Sequence, residues 1–473
     1  MDSVRFAKIL LEKFPYEPTP SQGILIHKLV EFIVSSSENE IFILEGYAGT
    51  GKTTVVSTLV KHLSFLGKRS LLLAPTGRAA KVFSSYAGKN AYTIHKKLYL
   101  LFTAYDGTIR LNLSKNNYKN TIFMVDEASM IPGQFAANEG SLFQERSLLD
   151  DLIDFVKSGE NCKLILIGDS AQLPPVGLEN SPALDLNFLT KNYYLITRSF
   201  KLTEVVRQSL ESGILLNATQ IRAVQNSNDT LKLVTQGFND VVRITGIELE
   251  DYLNSAFSAG GIEDSVIITR SNKRANIFNQ EIRKRILFRE NEIDAGDLMM
   301  VVKNNYFWLD QEQEPGFIAN GDIIEILKIE KYDELYGFRF ANVHIRFIDY
   351  PGQEDLVVKI LLDTILLDGP SLSMKTQRDF FAEVMKDYDD LSSRKKRIES
   401  VKNNPFYNAL QVKFGYSLTC HKTQGGQWKN VFIDQGYLLE EQINKEYYRW
   451  LYTAFTRATE KVYMVNFSDR FFE

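Results

Sequence analysis

The sequence predicts an α/β protein made of two α/β units, with a β-hairpin inserted in the first and a small β-barrel inserted in the second. Three observations carry this. Short apolar runs at 41–45, 70–74, 121–126 and 163–168 alternate with helix-like stretches. The same pattern restarts at 265–270, breaks off, and resumes at 430–434 and 461–467. Between these halves, residues 296–350 read as short strands punctuated by turns such as Asn320-Gly321-Asp322 and Tyr336-Gly337. Apolar runs without polar alternation suit parallel strands buried on both faces.

Each element has its own signal. Three of the four runs in the first unit end in glycine or a carboxylate, which puts polar chemistry at strand C-termini. A helix is expected over 53–66, stopped by Gly67. The segments 98–103 and 108–113 flank Tyr105-Asp106-Gly107, and Asp-Gly between apolar segments signals a hairpin. The stretch 371–403 is highly charged and helical in pattern, with Arg394-Lys395-Lys396-Arg397 read as a solvated face. The expected segments are 1–198 for the first unit, with the hairpin at about 97–119. The second unit takes 199–295 and 405–473, and the barrel plus charged helices take 296–404.

Composition narrows the function. Of 473 residues 44% are hydrophobic and 24% charged, so wholesale disorder is excluded. Lys and Arg number 55 against 59 Asp and Glu, a net of −4, which excludes a uniformly basic nucleic-acid binder and leaves room for a local groove. Cys162 and Cys420 are the two cysteines; they form no metal spacing and fit a reducing, cytoplasmic setting. No apolar run nears the ~20 residues of a membrane span, and residues 1–5 show no basic-then-apolar leader.

The chemistry sits in a few motifs. Gly46-Tyr47-Ala48-Gly49-Thr50-Gly51-Lys52-Thr53 fits G-x-x-x-x-G-K-[ST] between a strand and a helix. Backbone N–H groups there can close around phosphates, with Lys52 on the β- and γ-phosphates of ATP and the Thr53 hydroxyl on Mg²⁺. The apolar run ending in Asp126-Glu127 supplies a carboxylate for the Mg²⁺ shell, Asp126, and one to orient or deprotonate water, Glu127. The run ending Gly168-Asp169-Ser170-Ala171-Gln172 places Gln172 where a γ-phosphate could be sensed.

Further blocks follow in a set order: Pro18–Gln22, Ala74–Lys81, Thr93-Ile94-His95, Leu202–Gln208, Thr419–Gly425 and Tyr452–Ala458. Together with the motifs above they resemble the superfamily 1 DNA helicases of the RecD/Dda-like, B-type group. The resemblance implies two RecA-like P-loop NTPase cores, with the hairpin as a strand-separating wedge and the barrel as an SH3-like domain. It implies that Gln22 reads adenine and that Thr54 and Gly425 join Gly46, Ala48, Gly49, Thr50, Gly51, Lys52, Thr53 and Asp126 around the nucleotide. It implies that Arg207 and Arg457 approach the γ-phosphate from the second core.

Pro75, Thr76, Thr93, His95, Thr419, His421 and Lys422 are implied as contacts to single-stranded DNA. Hydroxyls, imidazole and ammonium suit phosphate oxygens, so binding is expected to ignore sequence. Phe102, Tyr105 and Leu111 are candidates to stack at the hairpin, or simply to pack it. The implied function is ATP-driven translocation on single-stranded DNA, 5′→3′, with unwinding at duplex junctions by a monomer that needs no membrane. An RNA helicase, a translocase that does not unwind and a nucleotide-switched single-strand-binding protein stay open. The paired Arg207 and Arg457 argue against the switch.

Overall fold

A computed structural model describes residues 2–472 apart from 38, 104–108, 134–146, 207–211, 228, 310–316 and 351. The first core takes β1 (Glu40–Gly46), β2 (Arg69–Ala74) and β3 (Ala91–Thr93). The hairpin strands β4 (Tyr99–Thr103) and β5 (Ile109–Leu113) follow, then β6 (Thr121–Val125), β7 (Lys163–Gly168) and β8 (Ile196–Leu202). The sheet order is β3-β2-β6-β7-β1-β8, and every neighbouring pair is parallel. Alternate residues of one strand serve opposite faces. Phe42 and Leu44 pack with the helices Ser3–Glu12, Pro20–Val34 and Lys52–His62, while Ile41 and Ile43 pack with the helix Leu148–Lys157 on the other side.

The second core opens with β9 (Val241–Ile244) and β10 (Ser265–Thr269). The chain then leaves to build the barrel from β11 (Leu298–Val301), β12 (Ile323–Leu335), β13 (Phe338–Phe347), β14 (Leu356–Leu361) and β15 (Leu410–Phe414), and the barrel is closed. It returns with β16 (Ser417–Thr419), β17 (Trp428–Asp434) and β18 (Ala458–Val465), giving a second all-parallel sheet of order β16-β10-β17-β18-β9. The architecture is therefore two RecA-like cores with a hairpin and an inserted barrel. The charged stretch forms two helices, Met374–Lys386 and Arg394–Lys402.

Two expected boundaries move. The first sheet runs to Leu202, past residue 198, because β8 pairs with β1 from Glu40↔Ile196 through Gly46↔Leu202. The barrel runs to Phe414, past residue 404, because β15 closes it between β11 and β14. The expected helix over 53–66 divides at His62 into an α-helix and a 3₁₀ turn, and Gly67 ends it in the left-handed conformation with φ 66°. The β12–β13 hairpin turns on Tyr336 and Gly337, both at positive φ, as a two-residue turn matched to strand twist requires.

The barrel is fastened to the first core at one helix end. Asp349 pairs with Arg78 at 3.5 Å and Lys81 at 3.7 Å, both in the first turns of the helix Gly77–Ala87. A methyl at Gly77 would lie 2.2 Å from the Tyr350 hydroxyl and 2.5 Å from Asp322, so the barrel approaches bare backbone. Asp322 is fully buried and accepts the Ala319 N–H at 2.7 Å. Burial, with Asp349 nearby, raises its carboxyl to about 8. A raised carboxyl pKa means the folded state binds the proton more tightly than the unfolded one. The stability this group gives is present at acid pH and is lost as pH rises through about 8. Asp322→Asn keeps the acceptor and cannot ionise. Its thermal midpoint is expected to gain on the wild type as pH climbs from 5 to 8; parallel curves would contradict this origin of the pH dependence.

Candidate active site

The P-loop grows from β1. Gly49 and Gly51 hold φ of 73° and 79°, which aims successive backbone groups inward, and the helix Lys52–His62 starts directly after. A helix N-terminus with a left-handed glycine before it is a natural cradle for phosphate. The Lys52 ammonium donates to the carbonyls of Gly46 and Tyr47, at the mouth of that cradle. Thr53 lies exposed on the first helical turn and Thr54 half-buried behind it. Gly46 must be glycine, since a methyl there would meet the Lys52 chain at 2.8 Å.

β6 delivers Asp126 and Glu127 to the same end of the sheet, with Glu127 in the left-handed region at φ 51°. Asp126 accepts the Glu127 N–H at 2.8 Å and the Tyr86 hydroxyl at 2.6 Å. Burial raises both carboxyls above their ordinary range, and Arg457 and Lys52 oppose the rise. β7 delivers Asp169 and Gln172. The Gln172 Oε1 is a buried acceptor with no partner among the described residues. A phosphate cradle, an acid pair beside it and an unsatisfied acceptor fit a nucleotide with its Mg²⁺.

The second core closes against these groups. Tyr452 accepts the Ala48 N–H at 2.9 Å and donates to Asp169 at 2.6 Å. The Leu173 N–H donates to Thr453 Oγ1 at 2.9 Å, and the Gln424 amide donates to the Leu173 carbonyl at 2.8 Å. Arg457, itself buried, reaches Glu127 at 3.5 Å and is held by the carbonyls of Thr453 and Gly426. The Val206 N–H donates to the Gly49 carbonyl at 3.0 Å, which brings the segment before Arg207 onto the loop. Arg207 lies outside the described residues.

Two residues expected at the nucleotide are held by other partners in the structure. Gln22 is buried with both ends of its amide engaged: Oε1 caps Thr19 at 3.0 Å and Nε2 holds the Thr50 carbonyl at 3.1 Å. It braces the loop through the Thr50 carbonyl. Gly425, at φ 73°, packs against Thr76 and Ala79, where a methyl would come within 2.6 Å of the Ala79 side chain. It is a close-approach point between the cores, at the strand-contact block.

The expected strand contacts gather at the sheet margins. Pro75 and Thr76 follow β2, Thr93 ends β3, Thr419 ends the edge strand β16, and His421 and Lys422 follow it. Thr76 and Thr93 spend their hydroxyls capping helices, on Ala79 and Lys96, both at 3.2 Å. His95 is pushed down to about 4 by burial, so its imidazole is neutral near pH 7 and offers no cation. His421 is lowered by burial too. Lys422 drops to about 8 through burial and the neighbouring Lys413. Tyr105 and the side chains of Phe102 and Leu111 lie outside the described residues.

Tyr86 went unnoticed in the sequence. It sits in the last turn of Gly77–Ala87, stacked on Phe83 with ring centroids 5.1 Å apart. Nothing local marks it; only the packing of that helix on β2 and β3 brings its hydroxyl to Asp126.

Residues 27–238 match the family model described as an AAA domain, and residues 414–465 match the UvrD-like helicase C-terminal domain. An uncharacterized protein of Acanthamoeba polyphaga mimivirus is 26% identical over 93% of this chain and 98% of its own length. The ATP-dependent DNA helicase dda of Enterobacteria phage T4 is 27% identical over 61% of this chain and 62% of its own length. The ATP-dependent RecD2 DNA helicase of Deinococcus radiodurans is 29% identical over 90% of this chain, and the match spans 47% of that protein. Among the described residues no helix is long and apolar enough to cross a membrane.

A partner that orients a metal-site carboxylate typically contributes 10–100-fold in metal affinity or activity. Tyr86→Phe keeps the ring and removes only the hydroxyl. Binding of a fluorescent ATP analogue is expected to need about tenfold more Mg²⁺, with the thermal midpoint little changed. An unaltered Mg²⁺ dependence would show that the hydroxyl serves packing alone.

Proposed function

We propose that this chain is an ATP-dependent DNA helicase of the superfamily 1 RecD/Dda-like group, one that steps along single-stranded DNA and opens duplex junctions. The observation that carries the reading is the seam between the cores. The loop and acids of one core meet Tyr452 and Arg457 of the other at hydrogen-bond and ion-pair distance. A nucleotide held by Gly46–Thr53 with Mg²⁺ near Thr53 and Asp126 supplies the phosphoanhydride bond whose cleavage drives the cycle.

The chain's own residues do the rest. The loop amides and Lys52 bind phosphate. Glu127 takes a proton from water beside the phosphate cradle. Arg457, already at the acid pair, stabilises developing negative charge, and Arg207 is assigned the same task. Because these arginines ride on the second core, their engagement and release open and close the seam. Thr76, Thr93, Thr419, His421 and Lys422 hold the strand backbone through each closure. The reading takes 5′→3′ as the direction, the hairpin as the wedge, DNA over RNA as the track, and a monomer working in a cytoplasm that keeps Cys162 and Cys420 reduced.

Lys52→Ala is expected to abolish DNA-stimulated ATP hydrolysis; near-normal turnover would remove the loop from the mechanism. Arg457→Ala is expected to keep nucleotide binding and lose about 10³-fold or more in turnover, the scale of an arginine finger. Arg457 also opposes the upward shift of Glu127. Its loss should therefore move the acid limb of the residual rate to higher pH, whereas an unmoved limb would mean that the two do not interact. Unwinding of duplexes with 5′ or 3′ tails, in DNA and RNA versions, tests the whole reading. Activity on the 5′-tailed DNA is expected, and inactivity on all four would leave only an ATPase.

A further inference from the structure

Two clefts lie side by side on the first core, at the end of the strands away from the nucleotide loop. The larger, about 710 Å³, is lined by Arg69, Lys97, Lys115 and Lys119 with Asn117 and Asn120. The smaller, about 290 Å³, adds Lys68 and Lys89. Arg69 and Tyr118 line both, so the two form one groove. Six cations and no carboxylate line it, in a chain whose net charge is −4. Lys119 also pairs with Glu160, and Lys89 donates to Ser70. Arg69, Lys115 and Lys119 are exposed.

The position gives the groove a meaning. Lys97 is two residues before β4, and Lys115 is two residues after β5, so the cleft opens at both roots of the hairpin. Arg69 begins β2, whose other end leads into Pro75 and Thr76; a strand of six residues separates the two by about 20 Å. At Arg69 the groove is thus separate from the nucleotide site and from Pro75 and Thr76, while at Lys97 it comes within a helical turn of Thr93 and His95. Its chemistry also selects. Single strands are gripped by stacking on open aromatic faces, but here Phe155 is buried and Tyr118 packs edge-on against Phe123 at 5.6 Å. Cations and amides with no stacking platform suit phosphate oxygens of a paired, stacked nucleic acid.

We propose that this groove binds the phosphate backbone of the duplex arm ahead of the hairpin. The inference rests on the helicase reading and adds a duplex site to it. The groove holds the arm still against the hairpin roots while the cores draw one strand away.

The test uses the full chain and the double variant Arg69→Ala/Lys115→Ala, both exposed positions outside the ATP and strand-contact groups. Affinity is measured over a salt series for a single-stranded tail and for the same tail joined to a duplex, alongside tail-stimulated ATP hydrolysis. The variant is expected to hydrolyse ATP and bind the tail like the wild type. For the forked substrate it is expected to bind about 10- to 30-fold more weakly near 0.15 M salt, with a salt slope shallower by about 2. Unchanged fork binding, or equal loss on tail and fork, overturns the duplex site while leaving the helicase intact. A wild type that binds neither substrate overturns both readings.

Discussion

One buried hydroxyl holds the two cores in register. Tyr452 lies on the helix Lys445–Phe455 of the second core, yet both its hydrogen bonds are made to the first. One goes to the backbone of the phosphate loop and the other to a carboxylate at the tip of β7. A hydrogen bond to a charged group contributes roughly 1.5–3 kcal/mol net, and a buried acid left without its donor costs more than the bond was worth. The next residue, Thr453, takes the Leu173 N–H, and Arg457, two residues past the helix end at Phe455, lies beside Glu127. The spacing of these contacts along one helix fixes where the arginine arrives, so the rest of the site depends on that helix's seating.

The electrostatics follow from burial. Burial pushes the carboxyls of Asp126 and Glu127 upward; Lys52 and Arg457 oppose the rise at both, and the Tyr86 hydroxyl and the Glu127 N–H oppose it at Asp126. The same exclusion of water weakens the expected strand-binding cations. His95 is neutral and Lys422 sits near its own titration point. Positive charge is concentrated elsewhere, at the hairpin roots.

Much of this was legible in the sequence because parallel sheets write plainly. The central strands β1, β2, β6 and β7 are continuous apolar runs, and their polar tips carry the motifs. The edge strand β8 reads Ile-Thr-Arg-Ser-Phe-Lys-Leu; half of it faces outward, so its polar residues hid a strand and displaced a boundary. β15 was missed as part of the barrel because its partners β11 and β14 lie far back in the chain, beyond any local signal. Gln22 illustrates a different limit. Its block identifies a region, but whether an amide faces a ligand or braces a loop depends on neighbours 28 residues away. Tyr86 is the same case reversed: a tyrosine with no motif, given a role by the helix that carries it.

The glycine at the start of the Gly77–Ala87 helix reaches beyond its own turn. Inserted domains are often treated as cassettes, since their ends meet and their cores fold separately. Here the barrel's Tyr350 and Asp322 occupy the space that any side chain at residue 77 would need. The barrel and the first core are fitted to each other at a single missing methyl. A side chain at residue 77 would have to displace the Tyr350 hydroxyl and the Asp322 carboxylate before the barrel could seat as it does. The two parts are fitted to each other, although hundreds of residues of sequence lie between the segments that meet there.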